Sequence, residues 1–325
     1  MTDAFPSNKP AAPDPSPDDV SFDLDLVLSS VVSVRAHIPE DAMTASMLGT
    51  ERAGHGVVIR DDGLILTIGY LISEADAVWL VDHKGRATSA HVVGYDQETG
   101  FGLVQALQRL DLPAVELGNS SDLHEGDPVI AAGHGGRDNA VCARIISIRE
   151  FAGYWEYLID EAIFIAPPHQ HWGGTGLFDS SGRLQGIGSL FVQLSIPGRV
   201  AADGNMVVPI DLLKPILDDM LAVGRIDRPP RPWLGMLTAE TEDQLIVAGI
   251  VDDGPAEHAD LQVGDMVVAV QGHAVSELGT MYRTIWGLGS AGTEIPLTVL
   301  RDGDRMEIRV SSASRYDFLK SPSLQ

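Results

Sequence analysis

The sequence predicts a mostly β protein whose C-terminal part is a small α+β domain. Three observations carry that prediction. Apolar residues fall in short runs separated by turn residues, and most of the 34 glycines sit between the runs, which is the pattern of many strands and tight loops. Residues 224–232 are rich in arginine and proline and offer little to bury, which marks an interdomain linker. Beyond residue 232, strand-like runs alternate with helical periodicity rather than with further strands.

In chain order, residues 1–25 hold Pro6, Pro10, Pro13, Pro15 and Pro17 among small and acidic residues and read as a disordered tail. Strands begin after it. Gly56-Val57-Val58-Ile59-Arg60 and Leu64-Ile65-Leu66-Thr67 are β-prone runs joined by Asp61-Asp62-Gly63, a hairpin signal. The theme repeats over 77–81 and 90–93 around Lys84-Gly85, over 129–131, 143–148 and 161–166, and in the pair 176–178 and 184–187 around Asp179-Ser180-Ser181-Gly182. One helix is expected in this region, over 211–223, with Asp211 as its N-cap and Leu212, Leu213, Ile216, Leu217, Met220 and Leu221 at helical spacing. After the linker, 256–260 reads as a short helix, 266–270 as a strand and 277–288 as a helix. Residues 295–299 and 306–310 form a hairpin closed by Arg301-Asp302-Gly303-Asp304. This domain spans 233–313, and 314–325 is a tail.

Composition narrows the function. A length of 325 residues exceeds one ordinary core and implies two or three domains, and 44% hydrophobic against 21% charged residues describes a globular protein. With 22 basic and 46 acidic residues the formal charge is -24, which repels phosphate backbones and anionic headgroups, so neither nucleic acid nor a membrane is an expected partner. No run approaches the roughly 20 apolar residues of a bilayer span, and the first residues lack the apolar core of a signal peptide. A single cysteine, Cys142, makes no internal disulfide. A cytoplasmic location is the resulting expectation.

Gly54-His55-Gly56-Val57-Val58-Ile59 with Asp62-Gly63-Leu64-Ile65-Leu66-Thr67 resembles the opening of the HtrA/Deg protease domain, in which the catalytic histidine follows the threonine by three residues. Val92-Val93-Gly94-Tyr95-Asp96 with Thr99 is similar to a second segment of that family. Leu117-Gly118-Asn119-Ser120-Ser121-Asp122-Leu123 with Gly126-Asp127-Pro128-Val129 is similar to a third. Arg231-Pro232-Trp233-Leu234-Gly235, Gly254-Pro255-Ala256, Val263-Gly264-Asp265 and Thr298-Val299-Leu300-Arg301-Asp302-Gly303 resemble the family's PDZ domain. The resemblance implies a trypsin-like double β-barrel, with one barrel over 26–125 and the other, with its closing helix, over 126–223, followed by the PDZ domain. It also implies an oligomer, often a trimer, built through the segment before Gly54, which matches the family poorly here.

Carried over residue by residue, the histidine position falls on Tyr70, the aspartate position on Gly100 and the serine position on Gly173, or on Trp172 if the match slips by one residue. A serine protease needs a hydroxyl nucleophile, an imidazole to take its proton and a carboxylate to orient the imidazole. A phenol with an ordinary pKa of about 10 is a poor general base, and glycine offers no nucleophile. The expectation is therefore a pseudoprotease, not an enzyme, with no catalytic residue.

Three replacement chemistries compete with simpler readings. Thr175 beside His169 and His171 suggests a nucleophilic pair, but a turn position accounts for the threonine, and turn chemistry accounts for Ser180 and Ser181. His169-Gln170-His171, with His134 or His55 approaching, suggests a metal, yet the sequence supplies no further close-spaced carboxylate or thiol pair. His134-Gly135-Gly136-Arg137 lacks the lysine of a phosphate cradle. No metal and no cofactor are expected.

The PDZ resemblance implies that Trp233-Leu234-Gly235-Met236 turns backbone N–H groups toward a ligand's terminal carboxylate. An extended peptide then adds as a strand beside 236–238. Met281 and Ile285, four apart on one helix face, are suited to line the apolar pocket, with Tyr282 or Trp286 beside them, and at least two of the four are expected to pack the core. The chain's own end, Ser321-Pro322-Ser323-Leu324-Gln325, is a minor rival occupant. The expected function is an adaptor or scaffold that binds protein C-termini. A regulatory or structural subunit of a larger complex is the alternative, and a hydrolase with an unorthodox site comes last.

Overall fold

The computed structural model describes residues 14–194, 201–242 and 244–320. It consists of two closed β-barrels and a separate five-stranded sheet extended by one short strand. The first barrel is formed by β1 (Val31–His37), β2 (Glu51–Arg60), β3 (Leu64–Ile68), β4 (Ala77–Val81), β5 (Ala87–Tyr95) and β6 (Phe101–Ala106), in the order β1-β2-β3-β6-β5-β4. The second is formed by β7 (Pro128–Ala132), β8 (Ala140–Gly153), β9 (Tyr157–Ala166), β10 (Gly176–Phe178), β11 (Leu184–Leu194) and β12 (Ala202–Pro209), in the order β10-β11-β12-β9-β8-β7. Closure leaves these strands no open edge, which is how an antiparallel sheet avoids pairing with other chains. The two barrels share a continuous apolar core that takes in Val57, Leu66, Phe101, Phe164, Phe178 and Met220.

The expected helix over 211–223 is broken in two. A short 3-10 turn over Ile210–Leu212 precedes a helix over Leu217–Val223 that ends on Gly224 in the left-handed conformation. The cause is Pro215, which has no N–H to give and whose ring crowds the preceding turn. At the other end of the chain, residues 1–13 of the expected tail lie outside the described residues. Residues 24 and 25 are not tail at all: α1 (Leu24–Ser29) begins there, capped by the Asp23 carboxylate, which accepts the Leu26 N–H at 3.1 Å, and Leu24 and Leu28 are buried in the barrel core.

The C-terminal sheet runs β13 (Met236–Thr241), β14 (Gln244–Ile250), β15 (Met266–Val270), β17 (Glu294–Arg301), β18 (Asp304–Ser311), with β16 (His273–Ala274) beside β15. A ten-residue helix, Leu278–Gly287, begins after Glu277 as expected and buries Met281, Tyr282 and Ile285 against the sheet. The linker is held rather than loose. Arg228 and Arg231 both pair with Glu98 of the first barrel, and the Arg231 guanidinium lies 4.3 Å from the Trp286 ring centroid. Residues 314–320 turn back to the first barrel, where the buried Glu74 carboxylate accepts the Lys320 N–H at 3.0 Å. Residues 321–325, the rival occupant of the peptide groove, lie outside the described residues.

Candidate functional site

Between the two barrels lies a cleft of about 350 Å3 whose lining includes Leu48, Tyr70, Gly100, Tyr157, Trp172 and Arg315. The structure brings Tyr70 and Gly100 to this cleft, with Gly173 next to the lining residue Trp172. Gly69 donates its N–H to the Gly100 carbonyl at 2.6 Å, which sets Gly100 behind the turn that carries Tyr70. A Cβ built on Gly173 would stand 2.7 Å from the Tyr70 hydroxyl oxygen, so these two positions face each other. The Tyr70 hydroxyl donates to the Ser189 carbonyl at 2.9 Å, and burial raises its pKa above the ordinary phenol value. Trp172, the alternative for the serine position, packs its ring 5.5 Å from Phe191.

Backbone donors next to Gly173 are spent inside the fold. His171 N–H goes to His169 Nδ1 at 3.1 Å, Gly174 N–H to the Gly188 carbonyl at 2.9 Å and Thr175 N–H to the Trp172 carbonyl at 3.2 Å. Gly174 has no room for a side chain: φ is +81°, and a Cβ would lie 1.9 Å from the His55 carbonyl oxygen. Thr175 is buried with its hydroxyl donated to the Trp172 carbonyl at 3.0 Å, a turn contact. The histidines gather behind this wall. His55 Nδ1 accepts the His134 N–H at 3.0 Å, the His55 and His169 rings meet edge-on at 5.9 Å, and His169 Nε2 lies 3.0 Å from the Asn139 carbonyl. Burial, helped by the neighbouring His169, lowers the His55 pKa to about 4 and keeps that ring neutral at pH 7.

The second site is the groove of the C-terminal domain. Trp233 is fixed by paired backbone bonds with Ala313, both at 3.0 Å, and by a ring contact with Phe318 at 4.8 Å. Leu234, Gly235 and Met236 then turn three successive N–H groups toward one point. That point is filled by the side-chain carboxylate of Glu156, which reaches in from the connection between β8 and β9. Leu234 N–H donates to Oε1 and Oε2 at 3.1 and 3.0 Å, Gly235 N–H to Oε1 at 2.8 Å and Met236 N–H to Oε1 at 3.2 Å. Gly235 makes the turn with φ +72°, and a Cβ there would press on the Trp233 ring at 3.1 Å. Two residues before Glu156, the Tyr154 carbonyl accepts the Thr238 N–H at 2.9 Å, as a strand added beside β13 would. Burial raises the Glu156 pKa to about 7, against the three N–H donors and the charge of Arg315, which favour the carboxylate.

Of the residues expected to shape this groove, Leu234, Gly235 and Met236 form its carboxylate end, while Trp233 gives its N–H to the Ala313 carbonyl instead. Met281 and Ile285 are buried in the core beneath it, and Ala152 and Leu158 pack against that same core from β8 and β9. The helix residue that meets the occupant through hydrogen bonds is Tyr282. Its hydroxyl donates to the Gly153 carbonyl at 2.8 Å and accepts the Glu156 N–H at 3.3 Å. Glu156 and Tyr154 were not singled out from the sequence, because their partners lie about 80 residues away and no local pattern encodes that distance. The available signal was a lone acid between Trp155 and Tyr157, at the turn between two expected strands.

The fold is a trypsin-like peptidase domain followed by a PDZ domain, an arrangement similar to that of HtrA-type proteases. Residues 54–187 match the trypsin-like peptidase domain model and residues 232–311 the PDZ domain model. The chain is 28% identical over 284 residues to a probable periplasmic serine endoprotease DegP-like of Pseudomonas savastanoi pv. phaseolicola, covering 82% of this chain and 57% of the relative. It is 29% identical over 274 residues to the protein of the same name from Halomonas elongata, covering 79% of this chain and 56% of that one. The chain thus spans a little over half the length of these relatives. Among solved structures, the HtrA-type protease AlgW with a decapeptide superposes with a TM-score of 0.53 at 20% identity, covering 92% of this chain and 98% of that one, which shows the common fold.

Two expectations are corrected by these relatives. They are named serine endoproteases, which points to protease activity and overturns the expectation that the chain is not an enzyme. They are also named periplasmic, which overturns the cytoplasmic expectation; composition and a single cysteine had no power to separate the two compartments. Among the described residues no helix is long and apolar enough to cross a membrane.

Proposed function

We propose that this chain binds extended peptides ending in a free carboxylate, with Leu234, Gly235 and Met236 as the carboxylate receptor, and acts as a protein-binding adaptor of HtrA type. One observation carries the reading: three consecutive backbone N–H groups converge on a single carboxylate at 2.8–3.2 Å. Backbone donors fixed by a left-handed glycine recognise charge and direction rather than a particular side chain, so the ligand class is a chain terminus. The test is fluorescence anisotropy with a labelled apolar-ended decapeptide on the full chain. The free acid is expected to bind at least tenfold more tightly than the same peptide capped as an amide, and equal affinities contradict the reading.

A second reading comes from the relatives' names, which bring peptide hydrolysis in the periplasm to this chain. Any such step draws its nucleophile from a residue other than Gly173, which has no side-chain oxygen or sulfur to supply. Release of peptides from an unfolded protein substrate by the purified chain, lost on Thr175→Ala or His171→Ala, supports this reading; no release at any pH from 5 to 9 removes it.

A further inference from the structure

We propose that residues 153–156 are an internal ligand of the PDZ domain, with Glu156 standing in for a chain-terminal carboxylate, and that an incoming protein C-terminus enters the groove only by displacing it. This rests on the reading that the groove takes C-termini.

The match to a bound terminus extends beyond one ion pair. Oε1 and Oε2 of Glu156 occupy the place of the two terminal oxygens, and they take all three N–H groups of the receptor. The Tyr154 carbonyl, two residues back, takes the Thr238 N–H on the neighbouring strand, so the segment has the direction of an added peptide as well as its charge. Glu156 itself holds φ at +60°, a conformation that disfavours any residue except glycine and persists when surrounding contacts demand it. Those contacts are present. Tyr282 bonds both Gly153 and Glu156, and Arg283 pairs with Glu150 on β8 and Asp160 on β9, one partner on each strand of the hairpin.

Competition follows from geometry, because these N–H groups cannot serve two carboxylates at once. The apparent affinity for an outside ligand is then the intrinsic affinity reduced by the fraction of molecules with the hairpin undocked. Tyr154 is exposed at 53%, so the groove grips the occupant's backbone and carboxylate there and selects little at that side chain. The ligands that displace the hairpin are accordingly those that bring a free carboxylate and an extended backbone together with an apolar final residue, since the internal ligand supplies no such residue at its end.

The experiment uses the full chain, wild type beside Glu156→Gly, which suits the left-handed backbone, and Glu156→Gln, which keeps the side chain's size. Affinity for the free-acid decapeptide is measured alongside amide hydrogen exchange at Leu234, Gly235, Met236 and Thr238 without peptide. Both variants are expected to bind at least tenfold more tightly than wild type and to exchange faster at the first three amides. Equal affinity in all three forms, with binding intact, overturns the internal ligand and leaves the C-terminus reading standing. Binding by none of the forms overturns the C-terminus reading. In that case exchange alone decides the hairpin contact: faster exchange in the variants supports it, and unchanged exchange refutes it.

Discussion

The cleft between the barrels and the groove of the PDZ domain differ in what their chemistry is made of. At the cleft, function would depend on side chains, and positions 70, 100 and 173 carry a half-buried phenol and two glycines. At the groove it depends on backbone N–H groups, and Leu234, Gly235 and Met236 present all three to one carboxylate. Substitution can erase a side-chain site while the fold persists, whereas a backbone site lasts as long as the turn that shapes it. The groove therefore offers a ligand-binding arrangement that can be read directly from its backbone donors.

The comparison can be broken from either side. The largest effect is expected on the cleft wall, from Gly174→Ala. Its Cβ would stand 1.9 Å from the His55 carbonyl, a backbone atom that cannot step aside, and φ is +81°. A loss of more than about 3 kcal/mol in urea unfolding, or failure to fold, is expected, and a loss within about 0.5 kcal/mol would show that the wall yields.

Next comes the pH dependence of Glu156. Its folded pKa, about 7, lies above the ordinary carboxyl value of 4.5, so the folded chain holds a proton that the unfolded chain releases between those values. The stabilisation is complete below about pH 4.5 and is lost as pH rises to about 7, by up to about 3 kcal/mol. Arg315 and Tyr282 are the other charged or titratable groups facing this carboxylate. In urea unfolding the wild type should lose stability between pH 5 and pH 8 by more than Glu156→Gln does, and identical slopes would contradict the burial of this carboxylate.

Tyr282→Phe should cost about 1–3 kcal/mol, because the Gly153 carbonyl and Glu156 N–H lose a buried partner. It should also raise peptide affinity by loosening the hairpin. The smallest effect is expected from Arg283→Ala: its pair with Glu150 is half-exposed and its pair with Asp160 more so, so the change should stay within about 1 kcal/mol and fade in high salt.

Much of the fold was legible because its signals are local. The Arg301-Asp302-Gly303-Asp304 turn closes β17 onto β18 with Arg301 opposite Asp304, and the helix after Glu277 follows its apolar spacing. β6 and β12 went unread for physical reasons. Phe101–Ala106 is buried on nearly every residue and shows no alternation, and Ala202–Pro209 opens on Asp203, Gly204 and Asn205, which look like a turn. The receptor turn at Gly235 was legible from its glycine and neighbours. Its occupant was not, because a hairpin tip from another domain leaves no periodicity in the sequence it contacts.

The most direct test is a pH titration of the full chain followed by amide NMR. If Glu156 sits in the receptor, the Leu234, Gly235 and Met236 amides should shift together with one midpoint near pH 7, and the shared transition should vanish in Glu156→Gln. Three amides that stay still through that range, or that move alike in wild type and Glu156→Gln, would contradict the account.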